Sequence, residues 1–280
     1  MGNCYLCKSD KSKVRHKGVR DDPGINVLEC EDCGLVYLDT FAQIAEGFYQ
    51  NSQMHGDTPI SMDEWLLETA VDDERRFELL EDKIAGKNLL DFGCGAGGFL
   101  RRCNLIANSV LGIELEERVI DFWYGKLEIK NDLPYQRKFD IITGFHVFEH
   151  LSDPIHHLRE LKDLLTDNGC IVIEVPNADD ALLTLYDSNA FKDFSYWGQH
   201  LYLYNADNLK TLAERAGFSN LTVQHIQRYP LSNHLFWLSR GLPGGHEKWK
   251  FVDQPNLNYE YTKFLAKIGK TDTLLMYAQH

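Results

Sequence analysis

A glycine-rich turn between an apolar run and a helix start is the feature that most constrains this fold. Residues 88–100 read NLLDFGCGAGGFL, in which Leu89, Leu90 and Phe92 suit a short buried strand. Four glycines follow it: Gly93, Gly95, Gly97 and Gly98. Glycine tolerates a positive φ and lets a ligand approach the backbone, and a helix start behind the turn offers free N–H groups. The stretch therefore predicts a cofactor-binding turn.

The turn alone is compatible with two cofactors. Gly93-x-Gly95-x-x-Gly98 satisfies the dinucleotide fingerprint, and Glu114 ends the next apolar run, where a ribose-binding acid is expected. NAD would place its pyrophosphate near Asp91, whose carboxylate would repel it. The same carboxylate suits the amino group of S-adenosylmethionine (SAM). We therefore favour SAM, with an NAD-dependent oxidoreductase as the alternative.

Two cysteine pairs near the N-terminus predict a metal site. Cys4-x-x-Cys7 and Cys30-x-x-Cys33 have the spacing of a four-thiolate zinc ribbon. Four thiolates complete the coordination shell, so the zinc is expected to be structural. We assign residues 1–40 to this ribbon. Cysteine pairs of this kind fit a reducing cytoplasm better than a disulfide framework.

The rest of the chain divides into a helical lead-in and an α/β domain. Residues 41–86 have mostly helical apolar spacing, with a capping box at Ser61 and Glu64 and a stop at Gly86. Residues 87–280 alternate apolar runs with helical patterns, which predicts a parallel sheet with helices on both faces. Ligands of such sheets bind at the carboxyl ends of the strands.

Three stretches of this domain resemble class I SAM-dependent methyltransferases. They are DFGCGAGG at 91–98, FDIITGFHVFEHLSDP at 139–154 and LLTDNGCIVIEVPN at 164–177. The resemblance covers residues 86–227 and includes ubiquinone-biosynthesis O-methyltransferases and sugar-modifying methyltransferases. The ribbon is similar to that of bacterial deoxysugar C-methyltransferases. The resemblance implies a Rossmann-like fold: a mostly parallel seven-stranded sheet whose last strand, at 273–278, is antiparallel.

The resemblance also implies a cofactor site. The residues expected to hold the methionine part of SAM are Asp91, Gly93, Gly95 and Gly97. Glu114 would bind the ribose, with Leu115 beside the adenine and Asp132 as a candidate adenine contact. Phe145 and His146 would line the cofactor near the sulfonium. His146-x-x-Glu149-His150 is similar to a metal-binding Glu-x-x-Glu-His set of some small-RNA and ubiquinone methyltransferases, although we favour a structural or substrate-orienting role.

Acceptor binding is expected from two segments. The connection 178–204 is rich in aromatics and contains His200, our candidate general base, with Tyr202 beside it and His146 as the rival base. The excursion 228–270 would cover the mouth of the site. Its candidate contacts are Arg228, Tyr229, Asn233 and His234, and the alternative is a homodimer interface built on Trp237.

Charge and hydropathy narrow the function. The net charge of −13 argues against nucleic acid as the main partner, and no apolar run approaches the roughly 20 residues of a membrane helix. The sequence therefore predicts a methyltransferase acting on a small polar acceptor, first a hydroxyl of a sugar or nucleotide-linked sugar. N-methylation ranks second and C-methylation third. A non-enzymatic zinc-ribbon interaction protein is the further alternative.

Overall fold

Two β-sheets organise the chain. The structure is a computed structural model, and it describes residues 3–44, 47–50 and 60–280. Parts of the predicted lead-in, 45–46 and 51–59, lie outside these residues. The strands are β1 Ser12–His16, β2 Val27–Cys30, β3 Val36–Leu38, β4 Asn88–Phe92, β5 Ser109–Ile113, β6 Ile129–Lys130, β7 Phe139–Phe145, β8 Leu165–Pro176, β9 Tyr202–Leu203, β10 Asn220–Ile226 and β11 Thr273–Gln279.

Helices pack on the faces and ends of these sheets. They are α1 Met62–Ile84, α2 Gly98–Cys103, α3 Glu117–Trp123, α4 Pro154–Asp163, α5 Ala181–Thr184, α6 Asn189–Ser195, α7 Ala206–Arg215, α8 Leu231–Arg240, α9 Gly245–Lys248 and α10 Pro255–Lys267. None of these helices is both long and apolar enough to span a membrane.

The large sheet has seven strands in the order β10-β11-β8-β7-β4-β5-β6. Strands β4 to β8 pair in parallel, whereas β11 runs antiparallel to both β8 and β10. The predicted Rossmann-like methyltransferase architecture is thereby confirmed. The central strands are apolar on both faces because helices cover both sides of a parallel sheet.

Helix α1 closes the cofactor side of this sheet. The predicted capping box is present: the Ser61 side chain accepts from the Glu64 amide, and the Glu64 side chain accepts from the Ser61 amide. The helix stops before Gly86, whose φ is +68°. Helix α1 packs on α2, where a Cβ on Gly98 would lie 2.2 Å from Asp73 Oδ2. Glycine at 98 therefore permits this close helix contact.

The small sheet has the order β1-β2-β3-β9. Strand β9 comes from the aromatic connection 178–204, and it pairs antiparallel with β3 through Val36–Leu203 and Tyr37–Tyr202. The ribbon residues Cys4 and Leu6 belong to the same apolar core cluster as the buried strands of the large sheet. The N-terminal ribbon is thus packed into the α/β body, and it holds the connection that runs over the carboxyl ends of the strands.

Candidate active site

The glycine turn after β4 is closely packed. Gly93, Gly95 and Gly97 have φ values of +71°, +51° and +79°, which L side chains rarely adopt. A Cβ on Gly93 would lie 2.4 Å from Val147 Cγ2, and one on Gly97 would lie 2.6 Å from Trp123 Nε1. Conformation and space therefore both require glycine at 93 and 97.

Asp91 ends β4 below this turn. Its side chain is 2% exposed, and its Oδ1 accepts a hydrogen bond of 2.7 Å from Thr143 Oγ1 on the neighbouring strand. Burial raises the pKa of Asp91 to about 7, although the Thr143 hydroxyl and the Arg76 cation oppose the rise. A buried carboxyl of this kind gains from a cationic partner such as an ammonium group.

Glu114 follows β5 and braces the turn. Its Oε2 accepts from the Gly95 amide at 2.9 Å, and its Oε1 accepts from the amides of Leu115 at 2.7 Å and Glu116 at 3.2 Å. Burial raises the pKa of Glu114 in spite of these three amides. Leu115 beside it is 36% exposed, and Asp132 is exposed after β6.

A buried charge cluster lies where α1 meets the end of β8. Glu174 is fully buried; its Oε1 accepts from Arg76 Nη2 at 2.7 Å and its Oε2 from Arg75 Nη2 at 2.9 Å. The Arg76 guanidinium also lies 4.7 Å from the centre of the Phe145 ring. We did not identify this cluster from the sequence. The signal was Glu174 within the apolar run CIVIEVP, because a buried charge needs a partner.

His146 connects that cluster to the excursion 228–270. Its Nδ1 lies 3.1 Å from Glu149 Oε1, its Nε2 lies 3.4 Å from Glu174 Oε1, and Arg228 Nη1 lies 3.2 Å from Nε2. Burial alone would lower the pKa of His146, but its contacts with Glu149 and Glu174 outweigh burial and raise the pKa. The backbone is strained at His146, with φ +55°.

A second cluster combines Glu149, His150 and His200. One possible ligand atom from each lies within 4.8 Å of the others. Glu149 Oε2 is buried and has no hydrogen-bond partner within the described ranges. His150 Nδ1 lies 2.9 Å from the Gln199 carbonyl oxygen; as a donor there it leaves Nε2 free to bind a metal.

The pKa values of this second cluster suit metal ligation. Burial lowers the pKa of His150 and lowers that of His200 to about 3, so both rings are neutral at pH 7. Burial would raise the pKa of Glu149, but the hydrogen bond and charge of His146 outweigh burial and lower the pKa to about 2. One carboxylate and two neutral imidazoles form an acceptable ligand set for a divalent cation.

A cavity of about 200 Å³ lies at the carboxyl end of β8 and the start of β11. His146 lines it, together with all four predicted excursion contacts: Arg228, Tyr229, Asn233 and His234. His234 Nδ1 lies 2.6 Å from the Tyr261 hydroxyl, and burial lowers the pKa of His234 to about 4.

Two predicted acceptor residues lie outside this cavity. Tyr202 is buried against the ribbon, with its ring centre 5.3 Å from the rings of Tyr5 and Phe41. His200 packs on His150 and Trp197, with ring centres 5.0 and 5.5 Å away. Tyr202 packs on the ribbon because β9 is a strand of the small sheet, whereas His200, two residues before β9, lies beside His150; the local sequence reveals neither placement.

The ribbon cysteines converge as their spacing predicts. Cys4 Sγ lies 3.6 Å from Cys33 Sγ, and Cys7 Sγ lies 3.4 Å from Cys30 Sγ. All four sulfurs lie within 4.8 Å of one another, and none of them forms a disulfide. Four unbridged thiols at these separations fit a tetrahedral Cys4 metal site.

Comparison with known proteins agrees with this geometry. The model of a family described as "Methyltransferase domain" matches residues 63–223, more than half of the chain. A tRNA U34 carboxymethyltransferase of Campylobacter hominis is 29% identical over 182 residues, 58% of this chain and 63% of that protein. A ubiquinone biosynthesis O-methyltransferase of Coxiella burnetii is 27% identical over 183 residues, 59% of this chain and 78% of that protein.

The fold has a solved counterpart. A SAM-dependent methyltransferase from Archaeoglobus fulgidus superposes with a TM-score of 0.52 at 17% identity, covering 82% of this chain and 99% of that one. This likeness concerns the fold. The chain spans 63% and 55% of the lengths of the first two curated relatives, both named tRNA U34 carboxymethyltransferase.

The chain therefore belongs to the methyltransferase-domain family. This membership confirms the methyltransferase class predicted from the sequence, and the fold favours SAM over NAD as the cofactor. The acceptor is a separate question, because the relatives carry the names of a tRNA-modifying and a ubiquinone-forming enzyme.

Proposed function

We propose that this protein transfers the methyl group of SAM to a hydroxyl of a small, sugar-like acceptor held in the cavity beside His146. The observation that carries the proposal is the position of His146, which lines the cavity and also follows Phe145 at the end of β7, beside the glycine turn. The net charge of −13 favours a small acceptor over a nucleic acid.

The cofactor's methyl carbon is already activated by the sulfonium, so the protein mainly has to align the acceptor and exclude water. We propose that Asp91 and the glycine turn hold the methionine part and that Glu114 takes the ribose beside Leu115, with Asp132 near the adenine. Phe145, held by Arg76 on α1, would lie beside the sulfonium.

We propose that Glu149, His150 and His200 hold a divalent cation near the acceptor. The unpartnered Glu149 Oε2 and the free Nε2 of His150 support this site, and three protein ligands leave open positions. A bound cation of this kind lowers the pKa of a hydroxyl that it contacts. With its pKa lowered to about 3, His200 suits a ligand role better than that of general base.

His146 would then orient the carboxylate of the metal site. It bonds Glu149 through Nδ1 at 3.1 Å while it borders the acceptor cavity. We further propose one structural zinc ion on Cys4, Cys7, Cys30 and Cys33, supported by the convergence of the four sulfurs. An amine acceptor is the second candidate, because a neutral amine needs no base.

Two measurements test the function. Isothermal titration should show micromolar binding of S-adenosylhomocysteine and no comparable binding of NADH; the reverse result would contradict the cofactor assignment. The protein, incubated with methyl-labelled SAM and fractionated cell extract, should then label the small-molecule fraction in a chelator-sensitive way. Label found only in the RNA fraction would overturn the small-acceptor proposal.

A further inference from the structure

Asp180 is a buried carboxyl in the wall of the acceptor cavity. It lies just past β8, it is 4% exposed, and it lines the cavity. Its Oδ1 accepts from the Leu182 amide at 2.6 Å. Its Oδ2 has no hydrogen-bond partner in the part of the chain that the structure describes. Carboxylates in native proteins nearly always have hydrogen-bond partners, and the cavity beside Asp180 leaves room for a ligand to bind this oxygen.

The nearest charged groups provide no counter-charge for Asp180. Asp272, which also lines the cavity, accepts from the amides of Arg228 and Tyr229 at 3.0 and 3.1 Å and from Gln227 Nε2 at 2.8 Å. Arg228 itself pairs with Asp72. Burial, followed by the nearby Asp272, raises the pKa of Asp180 to about 8. Arg228 and these donors balance Asp272, whereas no cation among the described residues lowers the pKa of Asp180.

Aromatic rings line the same cavity. The Trp237 ring centre lies 5.1 Å from that of Phe191 and 5.2 Å from that of Phe194, and all three residues border the cavity. Trp237 is 4% exposed, so its ring is enclosed here and is not a free surface for a homodimer. Aromatic faces attract cations and also stack on apolar ring faces.

We propose that Asp180 and this aromatic wall recognise a positively charged amino group, so that the acceptor is an amine-bearing ring of the amino-sugar class. The inference rests on the proposed function in taking this cavity as the acceptor site. An ammonium group would bond Asp180 Oδ2 and supply the missing counter-charge. A neutral hydroxyl in its place provides no counter-charge, so Asp180 would keep its proton near neutral pH.

A matched pair of probes tests the charge recognition. Benzylamine and benzyl alcohol have rings that fit 200 Å³ and differ in the group offered to Asp180. Isothermal titration in the presence of S-adenosylhomocysteine should show benzylamine binding about tenfold more tightly than the alcohol, the scale of a charge-assisted hydrogen bond. Asp180→Asn should abolish this preference.

Asp179→Asn is the matched control. Asp179 is 41% exposed, lies 3.7 Å from Lys270 Nζ and does not line the cavity, so its variant should keep the preference. Equal affinity for the two probes, no measurable benzylamine binding by the wild type, or a preference that survives in Asp180→Asn would each overturn the proposal. So would a methylated natural product without an amino group.

The affinity for S-adenosylhomocysteine shows whether each variant is folded. Asp180→Asn should bind S-adenosylhomocysteine within about threefold of the wild type; if it does not, Asp180→Ser is measured instead. If both variants lose the cofactor, the carboxyl has a structural role and the proposal is wrong. If the wild type does not bind S-adenosylhomocysteine, the proposed function is wrong. The charge recognition by Asp180 is tested separately, by the preference for benzylamine over benzyl alcohol.

Discussion

The two sheets of this protein are stabilised in different ways. Strand β7 of the large sheet is buried at six of its seven positions, so its stability comes from apolar surface that the helices cover. Strand β1 of the small sheet has no buried position. Its strands β2, β3 and β9 are mostly buried against the α/β body, but they are only two to four residues long, and short segments of this kind are commonly stabilised by a metal. Burial stabilises the large sheet, whereas we propose that the small sheet combines burial with a metal staple, the zinc ion on Cys4, Cys7, Cys30 and Cys33.

The two sheets nevertheless meet at the active site. The small sheet includes β9, two residues after His200, and other ribbon contacts hold the chain before it. Arg15 Nε donates to the Tyr196 hydroxyl at 2.8 Å, and the Gly198 amide donates to Asp21 Oδ1 at 2.8 Å. The comparison therefore predicts that damage to the ribbon displaces His200 and leaves the cofactor turn in place.

The largest effect should follow from removing the proposed zinc site of the ribbon. Cys30→Ser should lose the zinc and unfold residues 3–40, since zinc binding is worth about 10–16 kcal/mol in small modules. S-adenosylhomocysteine binding should remain. Metal analysis, limited proteolysis and titration measure the three effects. Cys170→Ser is the control, because Cys170 lies in β8 outside the cluster. Less than a tenth of an equivalent of zinc in freshly purified wild type would refute the staple.

A smaller effect should follow from removing one proposed ligand of the cluster Glu149, His150 and His200. His150→Ala should reduce turnover by about 10²-fold or more, the scale of losing an activated hydroxyl, while cofactor affinity stays within about threefold. Titration with Mn²⁺ should show the loss of one site. His157→Ala is the control, because His157 bonds Glu160 on α4. Chelator-resistant turnover together with an active His150→Ala variant would exclude the metal role.

The affinity of the glycine turn for the cofactor should depend on pH through the protonation of Asp91. Its pKa is raised to about 7, so the free protein binds this proton below pH 7 and must release it to pair with an ammonium group. Affinity for S-adenosylhomocysteine should therefore rise about tenfold between pH 6 and 8, and Asp91→Asn should bind weakly with little pH dependence. By linkage, the stability of the free protein should fall as the pH rises from about 4 to 7, because the folded state binds more protons there. A flat wild-type affinity profile would argue against this role for Asp91.

The smallest effect should come from the far edge of the large sheet. Asp132 is exposed after β6, and an exposed carboxylate contributes at most about 1 kcal/mol to a polar contact. Asp132→Ala should therefore weaken S-adenosylhomocysteine binding fivefold or less, whereas Glu114→Ala, which leaves three backbone amides without their acceptor, should weaken it more. Equal losses in the two variants would contradict this ranking.

Local sequence was sufficient to predict the elements whose residues lie close together in the chain. The glycine turn, the capping box of α1 and both cysteine pairs depend on spacings of two to five residues, and such spacings are fixed by helix and turn geometry. Strand β4 was predicted from the apolar residues Leu89, Leu90 and Phe92, and β5 coincides with the apolar run that Glu114 ends. Strands β6 and β9 were not predicted, because a two-residue strand is defined only by its partner.

Only the tertiary structure showed which distant residues meet. His200 joins Glu149 and His150 from about 50 positions away, Arg76 reaches Glu174 across 98 positions, and Asp180 faces a helix that begins at Leu231. The local sequence marks Glu174, Glu149, His150 and His200 as unusual, but it does not say which residues they meet. Their encounters depend on how the helices and the ribbon pack on the core, and packing follows from the shape and volume of the whole interior, which no short spacing encodes.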